Sequence, residues 1–153
     1  MAPWSAGNSA TPRADHVRDM RPIPETENAL VLRTDFSNEA AWEDARSAIT
    51  APVGDFGAHV TFVSDPDYEG ISKADLLHAL EGTARSYLFV VDEKTLADTE
   101  HPILVIDLFE DHGRTFRVIP HEMWSVENNL SIGNMDFSEF ADAVDDDGVF
   151  RGF

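Results

Sequence analysis

The chain has 153 residues, 42% of them hydrophobic and 26% charged, which is enough for one domain with a sizeable core. Twenty-nine Asp and Glu face eleven Lys and Arg, a net charge of −18, so a nucleic-acid backbone or an anionic membrane surface is excluded as a partner. With no cysteine, disulfides, thiolate zinc sites and thiol chemistry are excluded too, and no apolar run approaches the roughly 20 residues of a membrane span. The first residues, Met1 to Gly7, have neither the basic nor the apolar region of a secretory signal, so a cytoplasmic location is expected.

Residues 1–27 are rich in Pro, Ser, Ala, Arg and Asp and lack apolar periodicity, which predicts a mobile tail. Arg13, Arg18 and Arg21 against Asp15, Asp19, Glu25 and Glu27 leave it at −1, so −17 belongs to a folded body over residues 28–153. Trp4 is an aromatic anchor or an inert tail residue.

The body alternates strand and helix signals. Ala29-Leu30-Val31-Leu32 reads as a strand. Ala41, Trp42, Ala45 and Ile49 then recur at helical spacing behind a cap at Asp35 or Ser37. Pro52, Gly54 and Gly57 break the chain before a second strand, His59–Val63. Ser72 and Asp75 form a capping-box pattern for a helix lined by Leu76, Leu77 and Leu80 and stopped by Gly82. Tyr87–Val91 and Ile103–Ile106 are continuously apolar, as strands covered on both faces are. His112-Gly113 predicts a hairpin turn into Arg114–Ile119. Beyond Pro120 the pattern is helical again, with Phe137, Phe140, Ala141 and Val144 on one face and Asp136 and Glu139 as cap and box. The expected fold is a single α/β domain: a mixed, mostly parallel sheet flanked by helices, with one antiparallel edge hairpin.

Two constellations could carry chemistry. Asp35, Asp65 and Asp92 each follow an apolar strand, and Asp107 lies within or at the end of another. Side by side in a parallel sheet, such carboxylates gather at the carboxyl edge and can hold Mg²⁺ or Ca²⁺; each is equally an ordinary helix cap. Asp107 also has Arg114 or Arg117 as a cross-hairpin partner. The second constellation is Trp124, Glu127, Asn128, Asn129 and Asn134, an indole with amides and a carboxylate, the material of a polar pocket or of caps and turns. His101, His112 and His121 match no helical metal motif. Asp65-x-Asp67-x-Glu69-Gly70 begins like a calcium loop but has Leu76 where the bidentate Glu belongs. No confident cofactor follows.

The words Ser125-Val126-Glu127-Asn128-Asn129-Leu130-Ser131-Ile132-Gly133-Asn134-Met135-Asp136-Phe137, Glu139-Phe140-Ala141 and Asp147-Gly148-Val149-Phe150-Arg151-Gly152-Phe153 resemble an uncharacterised family of small acidic actinobacterial proteins, from about Ala29 onward. The resemblance implies a single domain and assigns no catalytic residue. Two functions are expected: a non-enzymatic acidic binding or regulatory module for a basic protein partner, or a small metal-assisted enzyme or ligand-binding domain using the strand-end carboxylates. Charge and composition leave the oligomeric state open.

Overall fold

A computed structural model describes residues 22–153. One sheet organises them: β1 (Ala29–Arg33), β2 (Val60–Val63), β3 (Tyr87–Val91), β4 (Ile103–Asp107), β5 (Thr115–Val118) and β6 (Val149–Phe150), in the order β2-β1-β3-β4-β5-β6. The pairs β2–β1, β1–β3 and β5–β6 are parallel, and β3–β4 and β4–β5 are antiparallel. This is the expected α/β class, with a mostly parallel sheet and the β4–β5 hairpin toward one edge; only the two-residue β6 lies outside that hairpin.

Among the described residues five α-helices cover the sheet: α1 (Glu39–Thr50), α2 (Lys73–Ala79), α3 (Glu93–Ala97), α4 (Met123–Ser131) and α5 (Phe137–Ala141). The two-residue period of the strands sorts their side chains into two cores. Val31, Phe89, Val91 and Val105 face α1, α3, α4 and α5 through Trp42, Ile49, Leu96, Met123, Val126 and Phe140. Leu30, Leu32, Leu88, Val90 and Ile106 face α2 through Leu76 and Leu80, with Tyr68 and Ile71 filling the same layer. Burial on both faces explains why β1 and β3 read as unbroken apolar runs rather than as alternation.

Local chemistry sets the boundaries. The α1 cap is Asn38, whose side chain accepts from the Ala41 N–H, and not Asp35 or Ser37 as expected. Asp35 instead closes a turn one step earlier, accepting from Ser37 N–H at 2.8 Å. Ser72 caps α2 as its spacing predicts, and Gly82 ends that segment at φ 78°, a backbone that glycine adopts without strain.

Most of the expected mobile tail, with Trp4, lies outside the described residues. Its last part does not. Tyr68 Oη donates to the Pro22 carbonyl at 3.0 Å, Arg85 donates to the Pro24 carbonyl and to Thr26 Oγ1, and Ile23 packs against the α2-side core. Residues 22–27 are therefore tethered to the body.

Candidate functional site

Parallel β1, β2 and β3 bring Arg33, Val63 and Val91 to one end of the sheet, so the loops carrying Asp35, Asp65 and Asp92 share that end. The neighbours of β1 on its two sides, β2 and β3, are reached by crossovers over opposite faces, which makes the β1–β3 gap a topological switch point, the usual ligand crevice of such sheets. A hollow of about 350 Å³ lies there, lined by Thr34, Asp35, Glu69, Gly70, Asp92 and Glu93.

Its strand-end carboxylates are committed to local work. Asp92 caps α3, accepting from Thr95 N–H at 3.1 Å, and receives both terminal nitrogens of Arg117 at 2.9 and 2.8 Å. Burial pushes the Asp92 carboxyl up, but the hydrogen bonds and charge of Arg117, helped by Thr95, outweigh it and hold the group below the ordinary carboxylate range. Asp65 accepts from the Asp67 N–H and starts a 3-10 turn that seats Tyr68. Behind this edge the guanidinium of buried Arg33 bonds Glu39, Ser64 and the Asp35 carbonyl and sits 4.2 Å from the Phe36 ring. Among the described residues no three His, Asp or Glu side chains are grouped to hold a metal ion.

Asp107 stands apart. Because β4 runs against β3, Asp107 pairs with Tyr87 at the opposite end of the sheet. The expected partner, Arg114 or Arg117, is also wrong: Arg117 is engaged by Asp92 and Arg114 by Asp142. The buried Asp107 carboxylate is instead satisfied by backbone, accepting N–H from Phe109 (2.9 Å), Glu110 (3.2 Å) and Asp111 (2.8 Å). Three such donors meet the cost of burying the charge and wind the β4–β5 loop tightly.

The second constellation splits. Asn129 and Asn134 close the turn after α4, side chain to side chain at 2.8 Å. Asn128 reaches the Gly57 carbonyl, and Trp124 stacks on Phe56 with ring centroids 4.3 Å apart. Glu127 is the buried centre, since its Oε1 accepts from His59 N–H at 2.7 Å and from Asn128 Nδ2 at 2.9 Å. Its Oε2 accepts from Ser131 Oγ at 2.9 Å. These five residues thus brace the 57–59 segment and the end of α4 rather than line one pocket.

A second concavity, about 470 Å³, lies between the β4–β5 loop and the end of α4. Tyr87 and Ser131 line it with their hydroxyls 2.8 Å apart, joined by Asp107, Glu110 and Asp136 and by Phe109 and Ile132. Burial drives the Tyr87 phenol well above its ordinary value, opposed by the Ser131 hydrogen bond and reinforced by the Glu127 charge, so it stays neutral. Phe109 and Ile132 are each 77% exposed although both sit in hydrogen-bonded turns. Of the residues expected to carry function, only Asp107 lines this hollow. Tyr87, Ser131, Glu110, Phe109 and Ile132 had no sequence signal beyond the i, i+4 spacing of Glu127 and Ser131, because what unites them is the antiparallel return of β4.

His101 and His121 line a third hollow, of about 360 Å³, beside Pro52 and Pro120; His112 lies elsewhere. At the other edge Arg151 gathers Glu100, Asp145 and Asp147, with N–O distances of 2.7–2.8 Å. Among the described residues no helix is long and apolar enough to cross a membrane.

No curated protein matches this sequence. A family model described as a domain of unknown function, DUF6924, matches residues 28–153, the whole of the body that follows the tethered segment. The chain belongs to that family, DUF6924.

Proposed function

We propose that the chain is a non-enzymatic binding or regulatory module that recognises a basic protein partner. One observation carries the reading. Residues 22–153 hold twenty-seven Asp and Glu against eight Lys and Arg, a balance of −19. Five of those eight cations, Arg33, Arg46, Arg114, Arg117 and Arg151, are bound to the domain's own carboxylates. Lys73 and Arg85 donate to backbone carbonyls. Most of the positive charge is spent inside the fold, with Lys94 left exposed, and the surface offered to a partner is predominantly negative, which favours fast, salt-sensitive encounter with a basic protein. The same reading places the module in a bacterial cytoplasm, on its composition and on the likeness of residues 125–137 to small acidic actinobacterial proteins.

The test is capture of partners by the full chain in its native host, followed by association rates measured with the purified partner. A basic partner is expected, with an on-rate falling at least about tenfold between low salt and about 0.15 M. An acidic partner, or a rate flat with salt, would reject the reading.

A further inference from the structure

We infer that the hollow between the β4–β5 loop and the end of α4 is the seat of an arginine side chain from the partner, its guanidinium on the polar floor and its stem between Phe109 and Ile132. The inference rests on the reading of a basic partner and adds where it binds and through which group.

The two apolar residues are held out by construction. Asp107 gathers the N–H groups of residues 109–111, and the Gly113 N–H returns to the Asp107 carbonyl at 2.8 Å, so Phe109 has no slack to fold inward. Across the hollow, the Asn134 and Met135 N–H groups both bond the Asn129 carbonyl, fixing the turn that presents Ile132. The Phe137 N–H to Glu110 Oε1 bond at 3.1 Å ties the two walls together. Large apolar side chains on rigid turns around a concavity of ligand size mark a recognition surface.

Hydrogen-bond accounting on the floor selects the ligand's chemistry. Ser131 gives its only proton to Glu127, so Tyr87 must donate to Ser131 or to the Glu127 carbonyl at 3.4 Å. Both hydroxyl protons are consumed within the protein, so neither hydroxyl has a donor left for a ligand in the hollow. Glu110 and Asp136 add carboxylate oxygens, with exposed Asp111 beside them. A floor of acceptors beneath a negative rim fits a group that only donates and carries a permanent positive charge, which among side chains at neutral pH means Arg or Lys. The Phe109 ring favours Arg, whose planar guanidinium stacks on aromatic faces and brings five donors.

Chemical-shift mapping on the full chain tests this with Ac-Leu-Arg-NH₂ and its lysine and citrulline analogues, with poly-L-arginine as a separate arm. The arginine probe should shift amides at 84–87, 107–111 and 130–137, the lysine probe the same amides more weakly, and the citrulline probe none. Phe109→Ser should weaken the arginine probe about two- to fivefold while leaving the urea midpoint unchanged, since the ring lies in solvent. Equal binding of citrulline would overturn the cation. Shifts confined to Asp145–Asp147, or poly-L-arginine bound with no shift at the hollow, would overturn the seat while leaving a basic partner standing. Failure of poly-L-arginine to bind even at low salt would overturn the basic partner itself.

Discussion

Asp92 does two jobs that substitution can separate. Asp92→Asn keeps an oxygen to cap α3 but removes the charge that holds Arg117; Asp92→Ala removes both. The lost cap costs about 1 kcal/mol. The ion pair is half sheltered, with side chains 16% and 26% exposed, so it lies between a screened surface pair and a buried one. Arg117 also keeps its bond to the Pro102 carbonyl, which softens the loss. Charge removal is therefore expected to cost about 1–2 kcal/mol and Asp92→Ala about 2–3 kcal/mol. The pH dependence follows from the direction of the shift. A carboxyl depressed in the folded state contributes stability that is present above its unfolded pKa, about 3.9, and is lost as the pH falls through the lower folded value. Urea unfolding at pH 7 should show the full Asp92→Asn penalty, and the gap from wild type should narrow progressively as the pH falls below the unfolded pKa and the native carboxyl takes up its proton. An asparagine penalty that persists unchanged in acid would refute the assignment of that energy to the Arg117 pair.

Three further outcomes are open to the same denaturation assays. Phe140→Ala should cost about 3–5 kcal/mol, because the ring is fully buried against Phe116, Phe150 and Phe153; a cost under about 1 kcal/mol would contradict that packing. Glu127→Ala, which orphans donors from His59, Asn128 and Ser131, should cost about 2–4 kcal/mol and Glu127→Gln clearly less; equal costs would mean the network adds nothing. Removing residues 1–27 should lower the melting temperature by a few degrees relative to removing residues 1–21, since Tyr68 and Arg85 lose their acceptors and Ile23 its seat; identical melting would show the tether to be idle.

The strands were legible because apolar runs such as Tyr87–Val91 are dictated by burial on both faces, and α1 because Trp42, Ala45 and Ile49 keep helical spacing. Two short elements escaped. The five-residue α3 has Glu93 and Lys94 on its exposed side and only Thr95 and Leu96 buried, too little for a period to register. Two-residue β6 exists because Val149 and Phe150 lie beside Arg117 and Val118, a pairing that is tertiary. Asp107 parts from the other three strand-end carboxylates for a related reason. An Asp after a strand looks the same in sequence whether it caps a turn, as Asp35 does, or accepts three backbone donors at the far end of the sheet, as Asp107 does. Strand direction decides between them, and the reversal at β4 is not written in any single residue.

The sheet's unequal edges have a consequence for colloidal behaviour. β6 offers a newcomer only two residues, whereas β2 presents Val60-Thr61-Phe62-Val63, none of them fully buried, with one side of its backbone unpaired by any strand among the described residues. A β-rich edge of this kind is a template for association between copies. Here the guard is mutual repulsion rather than edge geometry, since every copy carries the same large negative charge. Acid or concentrated salt, by quenching that repulsion, removes the guard, so self-association should begin at β2 while the fold is still intact.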